Sequence, residues 1–158
     1  SKLGLNDELI RRLNRNMMLF YTNVTRSSES ILVEQRENIS EREDSLAGLR
    51  ELAVQACDCL KSGDLSEFGN MLHNGWELKR GLASGVSNHE LDDLYNASRK
   101  AGAIGGKIAG AGGGGFLLLY APLAAQDDVR NALSNLRELP FLFERDGSRV
   151  VFDLGRSK

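Results

Sequence analysis

Six consecutive residues, Gly110-Ala111-Gly112-Gly113-Gly114-Gly115, contain five glycines and no side chain larger than a methyl group. A glycine fixed in a fold loses more backbone entropy than any other residue, so such a run is costly unless the bare backbone has a use. Without side chains, successive residues can take positive φ and turn several N–H groups toward one point. That makes a nest for an anion, and phosphate is its usual guest. The alternative is a flexible hairpin turn, for which two residues would suffice. The candidate phosphate- or substrate-binding residues are Gly110, Ala111, Gly112, Gly113 and Gly114.

The run also fits G-x-G-x-x-G at Gly110, Gly112 and Gly115. That dinucleotide fingerprint requires a strand before it and a helix after it. Here Phe116-Leu117-Leu118-Leu119-Tyr120 follows, with Pro122 close behind, and a strand fits that stretch better. A phosphate-binding P-loop fails as well. No Gly-Lys-Ser/Thr closes the run, and Lys107 precedes it.

A second candidate is Thr25, Arg26 and Ser28. An arginine can grip a phosphate with two hydrogen bonds, and a helix starting beside it favours anions. The plain alternative is a solvated arginine next to a helix cap. Trp76 falls on an apolar helical stripe and reads as core, and Lys79 and Arg80 read as solvated. His73 and His89 have no partner pattern. Cys57 and Cys59 are two apart in a helical segment, so their side chains diverge. No metal site is assigned, and no catalytic residue is assigned in this chain.

The elements that must position these residues follow from periodicity and caps. Asn6 to Asn14 reads as a short helix, and Met17 to Thr22 as a buried strand. Ser27 and Ser28 start a helix reaching about Asn38. Ser40 to Glu43 has the capping-box pattern. Leu46, Leu49, Ala53, Ala56 and Leu60 form the stripe behind it, and Gly63 suits the end. Asp64 to Glu67 and Ser87 to Glu90 are two more starts of that kind, with Gly102 closing the last helix. Ala103 to Ala109 and Gly115 to Tyr120 read as strands flanking the glycine run. Pro122 opens a helix with its stripe on Val129, Leu133 and Leu136. Pro140 to Glu144 and Arg149 to Asp153 read as strands joined by the hairpin signal Asp146-Gly147. This order predicts an α+β fold, a ferredoxin-like antiparallel sheet with helices packed on one face, as a single domain over 1–158.

Twenty Lys and Arg against 22 Asp and Glu give a net charge of -2. Such a balance leaves no basic footprint for nucleic acid. The longest apolar run, Phe116 to Ala125, is interrupted by Pro122 and is too short for a membrane span. A cytoplasmic protein acting on small molecules is the expectation.

The segment Gly102-Ala103-Ile104-Gly105-Gly106-Lys107-Ile108-Ala109-Gly110-Ala111-Gly112-Gly113-Gly114-Gly115-Phe116 resembles the third conserved motif of the GHMP small-molecule kinases. These are the galactokinase, homoserine kinase, mevalonate kinase and phosphomevalonate kinase group. Phe20 to Ser28, Trp76 to Arg80, and Ser87-Asn88 with Leu91 to Tyr95 are similar to the heptose-phosphate kinases within it. Asn23 stands where those kinases usually carry glycine, and asparagine tolerates left-handed backbone.

The resemblance implies a C-terminal domain whose N-terminal nucleotide-binding domain is absent from this sequence. It implies a kinase that transfers the γ-phosphoryl group of ATP to a hydroxyl of a sugar or sugar phosphate, such as a heptose phosphate. ATP and Mg²⁺ would serve the full-length enzyme, with neither held tightly here. The partners would be the sugar phosphate, ATP and the chain's own N-terminal domain. The alternative is a ligand-binding or regulatory ferredoxin-like module without catalysis.

Overall fold

The computed structural model describes residues 3–25 and 27–144. Arg26, the hairpin signal Asp146-Gly147 and the strand expected at Arg149 to Asp153 lie outside the described residues. Helix α1 (Asp7–Asn16) leads into strand β1 (Met17–Tyr21), followed by α2 (Ser28–Glu37), α3 (Glu43–Ser62), α4 (Leu65–Arg80) and α5 (His89–Lys100). Then come β2 (Gly105–Ile108), β3 (Phe116–Tyr120), α6 (Gln126–Ala132) and β4 (Arg137–Glu138). The sheet has the order β2-β3-β1-β4, and every neighbouring pair is antiparallel. This is the expected α+β arrangement. No described helix is long and apolar enough to cross a membrane.

The helix ends follow local chemistry where a small polar side chain meets the first turn. Asn6, Asp64 and Asn88 accept hydrogen bonds from the N–H groups of Leu9, Glu67 and Leu91, each satisfying an orphan donor of its helix. Gly63 ends α3 in the left-handed conformation at φ 80°.

Two readings shift. Ser40 caps nothing, because it sits inside a single 3-10 turn, Ile39–Glu41, and α3 starts at Glu43 behind Arg42. Asn38 anchors that turn by donating to the Leu82 carbonyl at 3.1 Å. The start predicted at Ser87 falls one residue later. Asn88 is the cap, and the Ser87 hydroxyl donates to Asp92 at 2.6 Å.

Strand pleating sends alternate residues to opposite faces, and the core divides accordingly. Met18 and Phe20 of β1, Leu117 and Leu119 of β3 and Ile108 of β2 join one cluster with Trp76, Leu91, Tyr95, Val129 and Leu133. The helical layer on that face comes from α5, α6 and the C-terminal half of α4. Met17, Leu118 and Tyr120 meet Leu9, Leu13, Leu60 and Leu65 in a second cluster, so α1 and the junction of α3 with α4 add cover of their own. Helix α4 lies unusually close to β2. A methyl group on Gly105 would strike the Gly69 carbonyl, and one on Gly69 would come within 2.7 Å of the Tyr120 ring.

The last strand is a correction. The ladder to β1 runs through Arg137 and Glu138, with the Leu139 N–H donating to the Leu19 carbonyl at 2.8 Å. Residues 140–144 are not strand. Pro140 has no N–H to continue the ladder, which explains why it stops there.

Candidate functional site

The glycine run joins β2 to β3, and its neighbours are two other loops. On one side, the loop after β1 runs through Thr22 to Thr25. The Thr22 N–H and hydroxyl both donate to the Gly115 carbonyl, at 2.9 and 3.1 Å. The Gly115 N–H donates back to the Val24 carbonyl at 2.8 Å. Asn23 takes φ 59°, so the left-handed turn survives without glycine. On the other side, the loop between α4 and α5 offers the Val86 carbonyl, which accepts the Gly113 N–H at 2.8 Å. Backbone therefore meets backbone on both flanks. A methyl group on Gly112 would lie 2.7 Å from the Val86 carbonyl, and one on Gly114 would overlap the Val24 carbonyl.

Gly110, Gly112, Gly113, Gly114 and Gly115 all have positive φ, from 73° to 139°. Among the described residues, the N–H groups of Gly110, Ala111 and Gly114 meet no acceptor, whereas those of Gly113 and Gly115 are taken by Val86 and Val24. The expected nest of backbone donors is thus partly free and partly spent on holding the loop. Gly113 and Gly114 are buried, and Gly110 is exposed. The run is a pinned cradle rather than a loose hairpin.

A third restraint comes from a side chain. The Lys79 ammonium, at the end of α4, donates to the Gly110 carbonyl. Burial, and then the charge of Lys107, holds Lys79 below the usual lysine range. Among the described residues neither lysine has a carboxylate partner. A cation at the edge of a loop with unpaired backbone donors favours an anion. Arg80 bridges Glu77 at 3.0 Å and Asp92 at 2.8 Å. With the Ser87 hydroxyl on the same Asp92 carboxylate, this braces the loop that carries Val86. Lys79 and Arg80, expected as solvated residues, therefore support the loop. The signal was present in the spacing, since Lys79 follows Trp76 by one helical step and so borders its buried stripe.

The second candidate group lies near the same end of the sheet. Thr25 and Ser28 are exposed, and Thr25 follows the residue that accepts from Gly115. Ser27 precedes α2 without a side-chain cap hydrogen bond, so among the described residues no side chain caps the first turn of that helix. The remaining polar residues take plainer roles. Trp76 is core, at 1% exposure. His73 Nδ1 lies 2.9 Å from the Tyr95 hydroxyl, and burial followed by the charge of Arg99 lowers its pKa. His89 pairs with Asp93 on the exposed face of α5. Cys57 and Cys59 are free and half-buried. Among the described residues, no group of three or more His, Cys, Asp or Glu stands together to hold a metal.

A family model described as GHMP kinases C terminal matches residues 53–138, more than half of the chain. The chain belongs to the GHMP kinases. Relatives of this GHMP kinase chain include a D-glycero-alpha-D-manno-heptose 7-phosphate kinase of Campylobacter jejuni, 25% identical over 83% of this chain and 39% of the relative. A mevalonate kinase of Pyrococcus horikoshii is 31% identical over 82% of this chain and 41% of the relative. Among solved structures, L. major mevalonate kinase in complex with R-mevalonate superimposes with a TM-score of 0.67 at 21% identity, covering 77% of this chain and 40% of that one. A D-glycero-D-manno-heptose 1-phosphate kinase from Bacteroides thetaiotaomicron gives 0.58 at 22% identity over 90% and 37%. The GHMP kinase chain spans about two-fifths of the length of these relatives.

Proposed function

We propose that this chain forms the C-terminal part of an ATP-dependent kinase that transfers the γ-phosphoryl group to a hydroxyl of a sugar or sugar phosphate. The carrying observation is the pinned glycine cradle. Among the described residues the N–H groups of Gly110, Ala111 and Gly114 meet no acceptor, and Lys79, without a carboxylate partner there, donates to the Gly110 carbonyl. Phosphoryl transfer asks little covalent chemistry of the protein and much positioning and charge stabilisation. Donors fixed before the substrate arrives supply that without reorganising. Gly112 and Gly113 shape the cradle against Val86. Thr25, Arg26 and Ser28 would grip the acceptor from the neighbouring loop and the start of α2. Mg²⁺ would be held mainly by ATP and by the remainder of the full-length enzyme, since no three His, Cys, Asp or Glu stand together among the described residues. A heptose phosphate is the favoured acceptor, supported by the Phe20 to Ser28 and Trp76 to Arg80 stretches and by the Campylobacter jejuni relative.

The test uses the full-length protein from the reading frame that contains this chain. It is incubated with ATP and Mg²⁺ and either heptose phosphates or mevalonate, and ADP is measured. ADP formation with heptose phosphates and none with mevalonate is the expected result. Turnover of mevalonate alone overturns the acceptor, and no turnover of any hydroxyl acceptor overturns the kinase reading. Ala111→Pro, which deletes one free donor, should lower kcat roughly 10²-fold, the usual effect of losing a preorganised donor. A melting curve run alongside shows whether the fold is kept.

A further inference from the structure

Helix α3 is 20 residues long yet buries only Leu60 fully. Helices α3 and α4 are in contact, with Leu78 against Gly48 and Leu49 against Gly75, but the stripe of Leu49, Leu52, Ala53 and Ala56 is left incompletely covered. These residues form one wall of a cleft of 180 Å³, with Met71, Leu72 and Trp76 on the other side and Lys79 and Lys107 also lining it. Trp76 carries a second irregularity, since its buried indole N–H has no hydrogen-bond acceptor among the described residues. Buried donors are nearly always paired in native proteins. The cleft is smaller than drug-sized pockets, which run from about 300 Å³. An apolar cavity of about 150 Å³ accommodates a benzene-sized guest.

We propose that this cleft between α3 and α4 binds a small amphipathic anion, its apolar body against the α3 stripe and its charged head at Lys79 and Lys107. The two halves of the site require such a ligand together. A neutral hydrocarbon would leave two lysines without a counter-charge, and a sugar would leave its hydroxyls against leucine and alanine. Lys79 also links the cleft to the glycine loop, because its ammonium donates to the Gly110 carbonyl. An anion in the cleft competes with that carbonyl for the same cation and so loosens one of the loop's three restraints. The site shares Lys79 with the edge of the glycine cradle, but its apolar wall is its own, and binding measured without nucleotide tests it apart from the kinase reading.

Trp76 is the sole tryptophan and borders the cleft, so its fluorescence reports occupancy. The chain is titrated, without nucleotide, with hexanoate, hexyl phosphate, hexanol and acetate. Hexanoate or hexyl phosphate should give a saturable change with Kd of order 1 mM, and the tighter of the two identifies the preferred head group. Hexanol should bind at least about tenfold more weakly, as expected for loss of a charge-assisted contact. Acetate should have no effect. Lys107→Met should weaken the anions about tenfold and leave hexanol unchanged. Ala53→Phe should fill the cleft and abolish the response. The backbone amide resonance of Ala111 should move with occupancy. The proposal is overturned if hexanoate and hexanol bind equally, if Lys107→Met binds the anions like the parent, or if no saturable response occurs. Binding that leaves the Ala111 resonance in place overturns the link to the loop.

Discussion

Gly114 and Gly110 both have φ in the range L side chains rarely adopt, 139° and 87°, yet their surroundings differ. Placing a side chain in such a conformation costs about 1–2 kcal/mol. At Gly110 nothing lies within 4 Å of an added methyl group, so Gly110→Ala should cost only that amount. At Gly114 the methyl group would overlap the Val24 carbonyl, the acceptor of the 2.8 Å bond from Gly115. Relieving the overlap adds about 1–3 kcal/mol of overpacking and loses a hydrogen bond of about 0.5–1.5 kcal/mol. Gly114→Ala should therefore be less stable than Gly110→Ala by about 2–4 kcal/mol. For a chain of this size each kcal/mol moves the midpoint by about 2–4 °C, so thermal melts should separate the two variants by roughly 5–15 °C. Calorimetry or circular dichroism reads this directly. Equal midpoints, or a larger loss in Gly110→Ala, would refute the close approach of the two loops.

Gly105→Ala should cost about 3 kcal/mol or more, because its methyl group meets the Gly69 carbonyl backbone that cannot rotate away; urea unfolding measures it, and a loss below about 1 kcal/mol would contradict the packing of α4 on β2. Arg80→Ala should cost about 1 kcal/mol, since the pair with Asp92 is only partly screened, both side chains being under 30% exposed; the same unfolding curves test this. His73 should make stability depend on pH. Its folded pKa is lowered, so the unfolded chain takes up the proton first as pH falls. The stability present above the ordinary histidine pKa of about 6.5 is then lost below it. His73→Gln should flatten the decline in melting temperature between about pH 7.5 and about pH 5.5, and an unchanged slope would remove His73 from the account.

Much of the fold was legible because its signals are local. The helix starts at Asn6 and Asp64, the left-handed Gly63 and the apolar run of β1 each lie within a few residues of what they determine. Ser40 misled because its pattern is equally local, while the outcome depends on Asn38 bonding Leu82, 44 residues away. At the site, glycine content revealed a bare backbone but could not say which donors remain free. That is decided by Val24 and Val86, whose carbonyls arrive from loops distant in sequence. Lys79 was underread for the same reason, since its partner Gly110 is 31 residues on.

The bond from the Thr22 hydroxyl to the Gly115 carbonyl spans 93 residues, and this has a kinetic consequence. Closing a long loop must precede the reward of the contact it makes. The β1–β3 ladder closes loops at least as long, from Tyr21 with Phe116 to Met17 with Tyr120, and the cradle bonds form only once that ladder has carried the two loops together, so residues of the cradle should have φ-values near zero. In a chevron plot, Gly114→Ala should raise the unfolding arm and leave the folding arm almost unmoved. The same bonds would then be among the earliest to open, and amide exchange at Gly113 and Gly115 would run faster than in β1 and β3. The glycine cradle would be assembled last and released first, while the sheet beneath it stays closed.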